Sequence, residues 1–76
     1  MIINKENVEK IRPYMARFTH DLDSLILSDN TDDKLILLDI LDDLFAIYIQ
    51  ADGEPSELSL MFEKIRDQFY YDNFIR

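Results

Sequence analysis

Apolar residues in the first third of the chain recur at the spacing of a helix. They are separated by alternating steps of three and four positions: Val8, Ile11, Met15, Phe18, Leu22 and Leu25. This spacing places them on one helix face and predicts a first helix over residues 5–28, with Asn4 as its N-cap. Pro13 removes one backbone hydrogen bond inside the segment, so we expect a kink there. The alternative is a split into two helices, with Pro13 in the first turn of the second.

The middle of the chain predicts a second helix, over residues 32–50, that is apolar around most of its circumference. Asp29, Asn30 or Thr31 can cap it. One narrow stripe interrupts the apolar positions: Asp39, Asp42, Asp43, Ala46 and Gln50. A helix of this kind is covered by neighbours on two sides, so we expect it to be the central element. Residues 44–49 alone are also typical of a strand, but nothing alternates there and the aspartate spacing upstream is helical.

A third helix is predicted over residues 56–72. Gly53 is the expected stop of the helix before it, and Pro55 or Ser56 opens the new one. Its apolar face is marked by Leu58, Phe62, Ile65 and Phe69. Helices joined by short loops are antiparallel neighbours. We therefore expect an all-α fold, a small antiparallel three-helix bundle that forms a single domain over residues 1–76. A fourth short helix follows if Pro13 breaks the first.

Composition narrows the chemistry that the chain can carry. Its 76 residues include no cysteine and one glycine. Disulfides and thiolate metal sites are therefore excluded, and so are glycine-rich loops that cradle phosphate. The lone histidine, His20, lies beside Asp21 and Asp23 but has no serine or threonine at catalytic spacing, and we interpret it as a surface residue. We expect no enzymatic activity and no cofactor.

Charge is distributed unevenly along the chain. The net charge is −8, and residues 21–57 hold eleven acids against Lys34 alone, whereas residues 1–20 are net positive. Because a chain with this much negative charge is repelled by a phosphate backbone, we expect no direct nucleic-acid binding. The longest uncharged run has eight residues, too few for membrane insertion. The first residues lack the pattern of a signal peptide, and we expect a cytoplasmic protein.

Two groups of residues are candidates for an interaction surface. Asp39, Asp42 and Asp43 lie within one helical turn. They are close enough to share a divalent cation, but a solvated acidic face is the more common meaning of such a run. The second group is the tail: Tyr70, Tyr71, Phe74 and Ile75. These fall on two faces of any helix, so we expect at least two to be exposed and covered by a partner. The alternative is a tail that folds over the open end of the bundle.

These patterns favour a non-enzymatic protein-interaction module, a regulator or inhibitor that binds a macromolecular partner. One version is a nucleic-acid mimic, which presents carboxylates in place of phosphates. Another is a bacteriocin-immunity-like bundle, favoured by size and helical content alone. From a different class comes a structural homodimer, paired through the apolar central helix. A divalent-metal binder that uses carboxylates ranks last.

Overall fold

The computed structural model describes residues 1–76. They form helices and short connecting segments, with no strand. The elements are α1 (Lys5–Ile11), a 3-10 helix (Arg12–Arg17), α2 (Leu22–Leu27), α3 (Thr31–Ile47), α4 (Glu57–Tyr70) and a terminal π-helical turn (Tyr71–Ile75). The all-helical class is thus confirmed, with four α-helices in place of three. The antiparallel three-helix arrangement stays a prediction. No helix is both long and apolar enough to cross a membrane.

The expected kinked helix over residues 5–28 is wrong, because the chain leaves the helical conformation twice. Pro13 has no N–H to donate, and it lies in the first turn of the 3-10 helix that follows α1. The backbone then becomes extended at Phe18, with φ −104° and ψ 151°. It is extended again at Asp21, whose carboxylate accepts the N–H of Ser24 at 3.0 Å and so caps α2. The split alternative therefore describes this region better.

The apolar spacing still identified the core of this broken segment. Val8, Ile11, Leu22 and Leu25 are buried, while Met15 and Phe18 are partly buried against them. A short helix and a loop can deliver side chains to the same core that a continuous helix would reach. Periodicity therefore identifies the buried positions without deciding whether one helix or two carries them.

Side-chain caps also define the starts of the other three α-helices, α1, α3 and α4. Asn4 accepts the N–H of Asn7 at 2.7 Å, and Asn30 accepts that of Asp32 at 2.8 Å. Ser56 accepts the N–H of Ser59 at 3.0 Å. Each bond satisfies a donor that the first turn leaves unpaired. Asn4 and Ser56 are confirmed as caps, and Asn30 is the one used among the three candidates before α3.

The connection between α3 and α4 corrects the expected role of Gly53. The helix ends at Ile47 instead of residue 50, and the Ser56 hydroxyl donates to the carbonyl of Tyr48 just beyond it. Gly53 lies farther on, at φ 87°, where its N–H donates to the carbonyl of Gln50 at 2.9 Å. A positive φ favours glycine. Gly53 therefore shapes the turn, while Ser56 links the end of α3 to the start of α4.

The hydrophobic core is centred on α3, which packs against both α2 and α4. Leu37, Leu41 and Leu44 are fully buried, and Phe62 of α4 is fully buried against the same core. The buried residues of α3 are Leu37, Leu38, Ile40, Leu41 and Leu44. They cover more than one side of the helix, in agreement with its predicted central position.

Truncation of the α3 core should be costly. We expect Leu41→Ala to lower the free energy of unfolding by about 2–5 kcal/mol, because it leaves a cavity at a position with no exposure. Leu35→Ala, on the same helix but 44% exposed, is the matched control and should cost about 1 kcal/mol or less. Urea unfolding of both variants measures the difference. Equal losses would contradict the burial described here.

Arg12 fastens the 3-10 helix to α2. Its guanidinium donates to both carboxylate oxygens of Asp23, each at 3.1 Å, and to Glu9 at 3.3 Å. These bonds and the attraction of the Arg12 charge hold the pKa of Asp23 below its ordinary value of 3.8. A carboxyl whose pKa is lowered by folding stabilises the native state above its unfolded pKa. That stabilisation disappears as pH falls through the folded pKa.

Acid should therefore remove the contribution of Asp23. We expect Asp23→Asn to melt below the wild type at neutral pH, and the difference to shrink as the pH falls below 3.8 and through the lowered pKa of the wild-type carboxyl. Comparison of the two proteins cancels the general relief of acidic repulsion at low pH. Thermal melts across the acid range give the measurement. A difference that does not change with pH would mean that the ion pair contributes nothing.

Candidate functional site

Asp39, Asp42 and Asp43 of α3 do not act as one stripe. The carboxylate of Asp42 faces α4 and accepts a hydrogen bond from Nε of Arg66. Asp39 and Asp43, one turn apart, are exposed and line a cleft on another side of the helix. Neither of them has an ion-pair partner within 4 Å. Asp39 and Asp43 are thus free of ion pairs, whereas Asp42 is paired with Arg66.

The cleft lies between α3 and the segment that joins the 3-10 helix to α2, and its volume is about 330 Å³. Its apolar surface comes from Phe18, Ile36 and Ile40. Its polar lining comes from Arg17, Thr19 and His20 on the joining segment and from Asp39 and Asp43 on α3. A shallow apolar surface bordered by charged side chains is suited to holding a side chain of another molecule.

Arg17 lines the cleft but forms no ion pair with the aspartates. The guanidinium of Arg17 lies over the ring of Tyr48, 5.7 Å from its centroid, and one nitrogen is 3.5 Å from the Tyr48 hydroxyl. This contact holds Arg17 near the end of α3. His20 is exposed, which confirms its interpretation as a surface residue, and it makes no hydrogen bond in the cleft.

Metal coordination by the α3 aspartates finds no geometric support. No group of three or more histidine or carboxylate side chains is arranged to hold a metal ion. The Asp42 carboxylate already faces a guanidinium, which leaves two carboxylates on the cleft. Two carboxylates beside an apolar surface attract a cationic side chain through charge and need no defined coordination geometry.

The aromatic tail, residues 70–75, is partly packed against the rest of the chain and hydrogen-bonded to its N-terminal segment. Phe74 is partly buried. Its ring packs edge-on against Phe69, with the ring centroids 6.4 Å apart, and stacks on Tyr70, with the centroids 5.5 Å apart. Asn73 exchanges two hydrogen bonds with the backbone of Ile2, at 2.7 and 2.8 Å. Three tail residues are exposed: Tyr70 by 40%, Tyr71 by 54% and Ile75 by 59%. The tail is therefore fixed through Phe74 and Asn73 while its other large side chains face solvent.

Arg66 joins the two candidate groups, a contact that the sequence analysis missed. Its guanidinium binds Asp42 and also lies 5.8 Å from the centre of the Tyr70 ring. The Arg66 pKa is raised, first by the hydrogen bond to Asp42. Arg17, Thr19 and His20 were missed as partners of Asp39 for a different reason. A continuous first helix would have placed Thr19 on a different face from Arg17 and His20, whereas the extended backbone at Phe18 precedes Thr19 and His20 at the cleft.

Comparison with known proteins identifies no relative of this chain. No family model, curated protein or solved structure matches the chain.

Removal of the carboxylate charge should affect the free energy of unfolding differently at Asp42 and at Asp43. The sequence alone predicts that loss of either charge is neutral or mildly stabilising, because the region is strongly acidic. The Arg66 ion pair changes this for Asp42. We expect Asp42→Asn to cost about 0.5–1 kcal/mol, as for a partly exposed pair, and Asp43→Asn to be neutral or stabilising. Chemical unfolding at low salt measures both. A larger loss for Asp43→Asn would mean that this carboxylate has a partner.

Alanine substitutions in the aromatic tail should show which of its rings stabilise the fold and which are free to contact another molecule. Phe74→Ala removes a ring that packs on Phe69 and Tyr70, so its melting temperature should fall by several degrees. Tyr71→Ala alters an exposed ring and should melt within a few degrees of the wild type. Calorimetry compares them, and sedimentation shows whether either changes assembly. A large fall for Tyr71→Ala would place its ring in the core.

Proposed function

We propose that this chain is a non-enzymatic, cytoplasmic protein-interaction module, a regulator or inhibitor that binds a basic segment of a partner protein. One observation carries the proposal: the unpaired carboxylates of Asp39 and Asp43 lie beside the apolar surface of the α3 cleft. A lysine or arginine side chain fits such a site. Its aliphatic stem covers apolar surface while its charged end reaches the carboxylates.

The charge of the whole chain supports the same partner. A net charge of −8 attracts a basic protein over distances of about a Debye length and speeds its association. The exposed rings of Tyr70 and Tyr71 offer a further contact, because tyrosine buries area while its hydroxyl stays hydrated. We also propose an antiparallel bundle as the scaffold, supported by the packing of α3 on both α2 and α4.

The geometry favours this version over the others. Nucleic-acid mimicry is supported by the eleven acids of residues 21–57, but the Asp42–Arg66 pair removes one regularly placed charge from α3. A homodimer through α3 has little apolar surface to use. Five apolar residues of that helix are buried within the monomer, and its large exposed ones are Leu35 and Ile47. For the immunity-like version, size and helicity remain the support.

Affinity capture from a lysate of the source cell tests the proposal. The bait is the wild-type chain at low salt, and bound proteins are identified by mass spectrometry. We expect a basic protein that is released at high salt, because screening weakens exposed charge pairs. The double variant Asp39→Asn, Asp43→Asn should retain about tenfold less of it, a loss equal to about 1.4 kcal/mol of binding free energy.

A charge-matched control separates the cleft from the net charge. The double variant Glu54→Gln, Glu63→Gln removes the same charge from exposed residues that neither line the cleft nor form an ion pair. It should retain the partner nearly as well as the wild type. Equal losses in the two double variants would reduce the proposal to a nonspecific charge effect. A wild-type bait that retains no basic protein at low salt would overturn it.

A further inference from the structure

A second groove, with the opposite charge, lies between α1 and α4. Its volume is about 200 Å³, and it shares no residue with the α3 cleft. The polar lining consists of Lys10, Lys64 and the carboxamides of Asn4, Asn7 and Gln68. No acidic residue lines it, although the chain has sixteen acids against eight basic residues. The groove is therefore locally positive on a protein that is acidic overall.

The two lysines of the groove are available to a ligand. Lys64 forms no ion pair, whereas Arg12, Arg66 and Arg76 all contact carboxylates. Lys10 contacts Glu6 at 3.4 Å in an exposed pair of the kind that contributes little. The ammonium groups and the side-chain amides are hydrogen-bond donors that border one space, although Nε2 of Gln68 already donates to the Asp72 carboxylate at 2.9 Å. Donors with positive charge around an open groove match an anion.

We propose that this groove binds a glutamate or aspartate side chain of a protein segment. Met61 and Ile65 supply apolar lining for the methylene groups of such a side chain. A carboxylate fits better than a phosphate because the overall charge of −8 opposes a dianion more strongly than a monoanion. This site goes beyond the proposed function and does not depend on the α3 cleft.

Nuclear magnetic resonance titration of the full chain tests the site with defined probes. The first probe is a glutamate blocked at both ends, so that its side chain carries the only charge. Blocked glutamine is its neutral isostere, and inorganic phosphate is the competing anion, all at constant ionic strength. We expect saturable shifts from the glutamate probe at Asn4, Asn7, Lys64 and Gln68, no saturable shift from the glutamine probe, and weaker binding of phosphate.

Two matched lysine variants locate the effect. Lys64→Gln should weaken binding of the glutamate probe by about threefold or more, the range of one exposed charge pair. Lys5→Gln removes the same charge from an exposed residue of α1 that has no ion pair and lies outside the groove. It should leave binding within a factor of two. Both should keep the wild-type spectrum elsewhere, which shows that the fold is intact.

Several results would overturn the carboxylate site. They are the absence of a saturable shift from blocked glutamate, equal shifts from blocked glutamine, tighter binding of phosphate, and equal weakening by Lys64→Gln and Lys5→Gln. None of these outcomes affects lysate capture through Asp39 and Asp43, because those residues lie on the other cleft. Failure of that capture would equally leave the titration unaffected.

Discussion

Burial of the α3 leucines determines how that helix is rotated, and the rotation decides what each aspartate can do. Leu37, Leu41 and Leu44 are fully enclosed, so α3 cannot turn about its axis without exposing them. In that rotation Asp42 faces α4 and meets Arg66, while Asp39 and Asp43 face the cleft. One hydrophobic constraint thus divides a run of similar carboxylates into a structural ion pair and a free pair.

The break between the 3-10 helix and α2 forms the second half of the cleft. Pro13, which has no N–H, lies in the first turn of the 3-10 helix that follows α1, and the backbone becomes extended at Phe18. Thr19 and His20 follow this extended residue and line the cleft against α3. The segment that ends the helical path therefore contributes the wall that gives Asp39 and Asp43 a concave setting.

The two clefts differ in charge. Asp39 and Asp43 border the one beside α3 together with Arg17, whereas two lysines and three carboxamides, with no acidic residue, border the one between α1 and α4. Exposed charge pairs contribute little to stability, so neither arrangement is needed to hold the fold. Complementary charge nevertheless controls the rate and orientation of association. Such control would orient the two proposed ligands without a large apolar interface.

The sequence by itself determined the helical class, most of the buried residues and the caps at Asn4 and Ser56. These follow from local rules: periodicity selects the inward face, and a short polar side chain satisfies the first free N–H groups. The tertiary structure decided the rest. It ended α3 at Ile47, paired Asp42 with Arg66 and assembled Thr19 and His20 with Asp39. Such outcomes depend on residues distant in sequence, because packing selects helix rotations and loop paths that no local pattern encodes.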